Sequence, residues 1–111
     1  MGKRIVLASS DISAQAVIHA LTGRGIRVPE DVGVFGFDNN AITAFSKPSL
    51  STVEQNPYEL GEETFRLLMQ QIQNPDQRIE NKLLEQKVVL RESVLLDAEI
   101  GRDVGLRFME E

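Results

Sequence analysis

The sequence predicts an α/β fold on a parallel sheet, and three observations carry that reading. Two short unbroken apolar runs, Ile5-Val6-Leu7-Ala8 and Val32-Gly33-Val34-Phe35-Gly36-Phe37, suit strands buried on both faces. Between them Ile12, Ala16, Val17, Ala20 and Leu21 recur at helical spacing. Each run ends in short polar residues, Ser9-Ser10-Asp11 after the first and Asp38-Asn39-Asn40 after the second. A strand, helix, strand unit closes almost always as a right-handed crossover with parallel strands. Both polar ends are therefore expected on one edge of the sheet, the edge at which open α/β sheets bind ligands.

The elements follow in order. Ser10 or Asp11 is placed to accept hydrogen bonds from the first-turn N–H groups of the first helix. Gly23 and Gly25 stop that helix, because glycine takes the left-handed conformation without a Cβ clash. Val28-Pro29-Glu30-Asp31 is a loop, and the second strand runs over 32–37. Residues 41–50, with Pro48 and several small polar side chains, form a connection, and Leu50-Ser51-Thr52-Val53 is a third, less apolar strand. Asn56 caps a second helix, Pro57 takes its first position, where a missing N–H costs nothing, and Glu59 comes close to completing a capping box. Leu60, Thr64, Leu67, Leu68 and Ile72 line one side of this helix, Phe65 widens the stripe, and Asn74-Pro75 ends it. After a polar loop at 76–82, Leu83 to Arg91 reads as a last strand centred on Val88-Val89-Leu90. The tail from Asp97 to Glu111 is broken by Gly101 and Gly105, yet Val104, Leu106, Phe108 and Met109 give it something to bury.

Composition narrows the function. With 111 residues, 41% of them hydrophobic and 26% charged, the chain fits one soluble globular unit able to bury about two-thirds of its surface. No apolar run approaches the ~20 residues of a membrane helix, and the start Met1-Gly2-Lys3-Arg4 is not followed by a signal-peptide pattern. A cytoplasmic protein without membrane contact is expected. There is no cysteine and a single histidine, which excludes disulfides, thiolate chemistry and the usual zinc and iron–sulfur sites; no cofactor and no metal is expected. Twelve basic against 17 acidic residues give a net charge of −5, so these residues carry no electrostatic footprint for nucleic acid.

Enzyme chemistry finds little support. A Ser-His-Asp arrangement needs an imidazole beside the nucleophile, and His19 lies more than two turns into the first helix. The Walker spacing is absent, and Gly23-Arg24-Gly25 follows a helix where a dinucleotide fingerprint would join strand to helix. Gly33 and Gly36 are read as allowing a helix to pack closely on the sheet. Asp11 and Asp38 lack an apolar pocket that would split them into an acid and a base. Lys87 and Arg91 are read as strand flanks. What remains is Ser10, Asp11, Asp38 and Asn39 at one sheet edge. Such short side chains can hydrogen-bond the hydroxyls of a sugar or another small polar ligand, although the same residue types also cap helices and close turns.

The stretches Ala8-Ser9-Ser10-Asp11, Gly25-Ile26-Arg27-Val28-Pro29-Glu30-Asp31-Val32-Gly33-Val34-Phe35-Gly36-Phe37-Asp38-Asn39, Pro48-Ser49-Leu50-Ser51-Thr52-Val53-Glu54-Gln55 and Leu60-Gly61 stand in the order and at the intervals of a known pattern. Over about residues 4–93 the chain resembles the C-terminal part of the effector-binding core of LacI/GalR-type transcriptional regulators. The resemblance implies a partial periplasmic-binding-protein-like fold with a flavodoxin-like subdomain. Residues 4–48 and 83–93 would belong to the C-terminal subdomain, 50–74 to the N-terminal one, and 94–111 would be an extension matching nothing in the pattern. It further implies an effector-sensing and dimerisation role, in which a small sugar-like metabolite alters operator affinity through subdomain motion. The DNA-binding head would lie outside these residues, and the chain itself would be a fragment.

Carried over by position, the resemblance makes Asp38 the effector-contacting aspartate of a Gly-aromatic-Asp motif. It puts Ser10 where the family usually has an asparagine, Gln55 at a glutamine beside the hinge, and Pro57 where some members place a stacking aromatic. Ser10, Asp11, Asp38 and Gln55 are thus the expected ligand-binding residues. The family's homodimer contact falls on the first helix and on 41–49, making Ile12, Gln15, Ala16, His19, Ile42 and Phe45 the expected interface. A chain with these boundaries is expected to dimerise or exchange strands. Rival readings are a periplasmic sugar-binding protein, an enzyme on a doubly wound sheet, and an inert excised scaffold.

Overall fold

Arg4–Leu7 (β1) and Val32–Phe35 (β2) lie side by side and run the same way, Arg4 opposite Val32 and Leu7 opposite Phe35. The structure, a computed structural model, describes residues 4–95 and 108–110. Beyond the paired residues the two chains stay together: the Ala8 N–H donates to the Phe35 carbonyl at 2.9 Å, and the Asp11 N–H to the Phe37 carbonyl at 3.1 Å. The same-edge geometry predicted from the apolar runs is present.

Asp11–Gly23 (α1) joins the two strands. Ser10 is its cap, the Oγ accepting from the Ser13 N–H at 3.1 Å. The helix stops as expected, with the Arg24 N–H closing onto the Leu21 carbonyl and Gly25 at φ +76°. The apolar positions that mark the helix divide between its two sides. Ala14 and Ile18 are buried with Val34 and Leu50 in the core, and Val17 and Leu21 pack against them, while Ile12, Ala16 and Ala20 are exposed. The helix is apolar on two sides, and spacing alone does not say which side meets the sheet.

Thr52–Glu54 (β3) pairs antiparallel with Lys87–Leu90 (β4), Thr52 opposite Val89, and Phe108–Glu110 (β5) pairs parallel with β4. A parallel bridge between Phe35 and Ser51 continues the sheet, with the Gly36 N–H on the Ser51 carbonyl and the Asp38 N–H on the Val53 carbonyl, both at 2.9 Å. The third strand therefore begins two residues later than expected. The last strand is less than half its expected length: among the described residues no strand lies beside Leu83–Gln86, and Leu83 is 96% exposed. The connection at 41–50 holds a 3₁₀ turn over Ala41–Ala44. The expectations for the tail fall outside the described residues, apart from β5.

The chain divides into two compact units, one running to Glu54 and resuming at Lys87, the other Gln55–Gln86. β3 and β4, paired with each other, both belong to the first unit. The second unit contains Pro57–Gln73 (α2), capped as expected by Asn56, whose Oδ1 accepts from the Glu59 N–H at 3.2 Å. Glu63 binds Arg66 at 2.8 Å and Lys82 at 2.9 Å, and these cations hold its carboxyl below the usual carboxylate range. The stripe of Leu60, Phe65, Leu68 and Ile72 has the expected spacing but is exposed. Among the described residues no helix is long and apolar enough to cross a membrane.

The start of α1 is fastened to the sheet through Asp11, which is fully buried. Its Oδ2 accepts from the Asn40 N–H at 2.6 Å and its Oδ1 from the Thr52 hydroxyl at 2.7 Å. Gly36 makes the approach possible, since a Cβ there would run into Asp11 Oδ1 and lie 2.8 Å from Leu50 Cδ2. In urea unfolding, Asp11→Ala should lose about 1–3 kcal/mol, because it strips donors of their acceptor. Gly36→Ala should lose about 1–3 kcal/mol through overpacking.

Candidate functional site

The polar ends of β1 and β2 meet at one edge of the first unit. On the β1 side, Ser10 is half-buried and its hydroxyl is occupied locally, accepting from the Ser13 N–H and sharing a 3.0 Å hydrogen bond with the Ser13 hydroxyl. Asp11 follows it but faces inward. Expected as a ligand-binding carboxylate, Asp11 is instead enclosed with both oxygens engaged, so in this structure it is a tether that shapes the edge.

On the β2 side the backbone turns sharply. Asp38 (φ 111°) and Asn39 (φ 60°) both lie in the left-handed region, costly for residues with a Cβ but visited by Asp and Asn more than by most. Each N–H of the turn has an acceptor: Asp38 on the Val53 carbonyl at 2.9 Å, Asn39 on Thr52 Oγ1 at 3.3 Å, Asn40 on Asp11 Oδ2 at 2.6 Å. The Asp38 side chain is exposed at the edge. The Asn39 side chain points back into the protein, its Nδ2 donating to Glu54 at 3.5 Å and its Oδ1 accepting from Thr43 at 3.3 Å and from Arg91 at 3.0 Å. The edge thus offers an exposed carboxylate on a turn that is bonded from several sides.

Two further residues take part that the sequence did not single out. Thr52 reads as an ordinary β-branched strand residue, yet it is fully buried and serves both Asp11 and the Asn39 N–H. Arg91, read as a strand flank, places its guanidinium on Thr43 Oγ1 at 2.8 Å, the Leu50 carbonyl at 3.0 Å and Asn39 Oδ1. Behind it the buried Ser93 hydroxyl bridges the Val34 carbonyl at 2.6 Å and the Ser51 N–H at 2.8 Å. No local motif flags these residues, since each acts on a segment some 40 or more positions away.

Gln55, the fourth expected ligand residue, belongs to the second unit, where it lines a groove of about 260 Å³ with Asn56, Glu59, Leu60, Lys82 and Leu84 among others. The residues expected at a dimer contact are mostly exposed. Ile12 (74%), Ala16 and His19 follow one another along the outer side of α1, and Ile42 (64%) and Phe45 (82%) stand out from the 3₁₀ turn and its end. Gln15 is half-buried, its Nε2 without a hydrogen-bond acceptor among the described residues. Among the described residues no group of three or more Asp, Glu or His is placed to hold a metal ion.

Residues 4–94 match the family of the periplasmic binding protein-like domain. The HTH-type transcriptional repressor PurR of Mannheimia succiniciproducens is 38% identical over 89 residues, and the ribose operon repressor of Haemophilus influenzae 35% over 89; in each case the match covers 80% of this chain and 27% of the relative. This chain therefore spans about a quarter of the length of the curated relatives it matches. Among solved structures, a LacI family transcriptional regulator from Enterococcus faecium with bound ribose superposes at TM-score 0.65 and 33% identity, over 81% of this chain and 34% of that one. The regulator CelR in complex with cellobiose gives 0.71 and 34%, over 80% and 27%. The Lac repressor dimer bound to operator and an anti-inducer gives 0.72 and 28%, over 83% and 32%. The chain belongs to the periplasmic-binding-protein-like domain family, and these relatives and solved neighbours are LacI-type transcriptional regulators.

Proposed function

We propose that this chain is the effector-sensing and dimerisation portion of a cytoplasmic DNA-binding transcriptional regulator that takes a small sugar-like metabolite at the edge holding Asp38. The observation that carries this reading is the parallel pairing of β1 and β2, which sets the end of β1 and the Asp38 turn on the edge where open α/β sheets bind ligands. An exposed carboxylate there can accept hydrogen bonds from two neighbouring hydroxyls of a sugar, each strengthened by the charge. Ser10 has one lone pair left for a ligand and is the lesser contact. Gln55 is the further ligand contact that the family resemblance names. The sugar-bound relatives, with ribose in one and cellobiose in another, support that ligand class.

Coupling to DNA follows from linkage. An effector that binds two arrangements of hinged subdomains with different affinity shifts their populations, and operator affinity changes by the same free energy. The operator would be contacted by a head outside these residues, in keeping with their net charge of −5. Symmetric pairing through the outer side of α1 with Ile42 and Phe45 would cover the exposed apolar side chains there and carry the change between subunits.

Calorimetric titration of a regulator carrying this core, with ribose and cellobiose as probes, should show Asp38→Ala binding at least about tenfold more weakly, the usual cost of losing hydrogen bonds to a charged group. Undiminished affinity would take Asp38 out of the pocket. Light scattering of the 111-residue chain should give a dimer, and Phe45→Glu should shift it toward monomer; a compact, stable monomer of the unaltered chain would defeat the dimer assignment.

A further inference from the structure

We infer that Arg91 is a positioning residue for the ligand edge: its guanidinium clamps the left-handed Asp38–Asn39 turn and thereby fixes where the Asp38 carboxylate is presented. This rests on reading Asp38 as the effector contact. Two consecutive non-glycine residues at φ 111° and 60° persist only where the surroundings over-determine them. The backbone bonds of the turn do part of this. They hold the N–H groups of Asp38, Asn39 and Asn40 from the side of β3 and α1, and the Thr43 N–H closes onto the Asn40 carbonyl at 2.9 Å, but the Asn39 side chain is left to other side chains.

Arg91 supplies that hold from the opposite direction. Nη2 donates to Asn39 Oδ1 at 3.0 Å, while Nη1 donates to Thr43 Oγ1 at 2.8 Å and to the Leu50 carbonyl at 3.0 Å. One rigid plane thus spans the turn, the 3₁₀ segment and the buried Leu50 just before β3. All three of these acceptors are neutral oxygens, met together by the planar guanidinium fork. The base of the side chain is equally fixed: the Arg91 N–H donates to Ser51 Oγ at 2.7 Å, and the Ser51 hydroxyl donates back to the Arg91 carbonyl at 3.1 Å. Ser51 is fully buried, and its own N–H is bound by Ser93. A lysine would keep the charge but has no planar fork to meet the three acceptors together.

Two measurements test the inference. In amide hydrogen exchange on the full chain, Arg91→Lys should speed exchange at Asn39 and Asn40 by about tenfold or more, as local opening costs less, and leave Val6 and Ile18 unchanged. Unchanged rates at Asn39 and Asn40 would overturn the clamp, whatever Asp38 does. In ligand titration with ribose and cellobiose, Arg91→Lys and Asp38→Asn should each weaken binding, and the double variant should bind no worse than Asp38→Asn alone, because Arg91 acts through Asp38. Additive losses would overturn the positioning role. Faster exchange together with undiminished affinity in Asp38→Asn would instead defeat the reading of Asp38 and, with it, any bearing of the clamp on ligand.

Discussion

A carboxyl group shut away from solvent is tolerated only when its oxygens are met by donors, and Asp11 meets two, at 2.6 and 2.7 Å. The donors come from different parts of the chain, the Asn40 N–H just past β2 and the Thr52 hydroxyl on β3. Satisfying this one group therefore fixes three segments at once: the first turn of α1, the exit of β2 and the third strand. Gly36 is part of the same constraint, since any side chain there would occupy the space of the Asp11 carboxylate. The open edge is shaped by this buried contact beneath it. Between Asp38, exposed at the edge, and Asn40, whose N–H is bonded to Asp11, the chain turns.

The order of elements was legible because local rules govern it. Apolar runs of strand length, the cap at Ser10, the glycine at a left-handed position after α1 and the Asn56-Pro57 helix start are short-range signals that the structure shows, although β1, read as buried on both faces, leaves Ile5 and Leu7 exposed. Long-range choices were less legible. Ile12, Ala16 and Ala20 compete with Ala14 and Ile18 for the inner face of α1, and only the sheet decides between them. Leu83 and Leu84 resemble the start of a strand, but a strand needs a neighbour, and the antiparallel partner β3 reaches only as far as Lys87.

The candidate site divides along the same line. Asp38 was legible as a polar residue at a strand end, and the family resemblance singles it out further. The network that holds it was not legible, because Thr52 and Arg91 carry no local mark of their work. An isolated threonine in a β-rich stretch or an arginine after a valine pair has many uses. What distinguishes these two is that they reach across the fold to the same five-residue stretch, Asn39 to Thr43.

That division bears on what can differ between relatives of one architecture. Proteins matching this chain at about one-third identity are described with ribose in one case and cellobiose in another, so likeness of this degree does not carry ligand identity. The residues that fix the edge face inward and bond to one another, whereas Asp38, the proposed ligand contact, is exposed. Exchanging Asp11 or Arg91 disturbs segments far apart in sequence. Exchanging an outward residue such as Ser10 disturbs one helix cap, worth about 1 kcal/mol. A fold built this way can retune what it recognises at a handful of exposed positions while the frame beneath them stays under the same physical constraint.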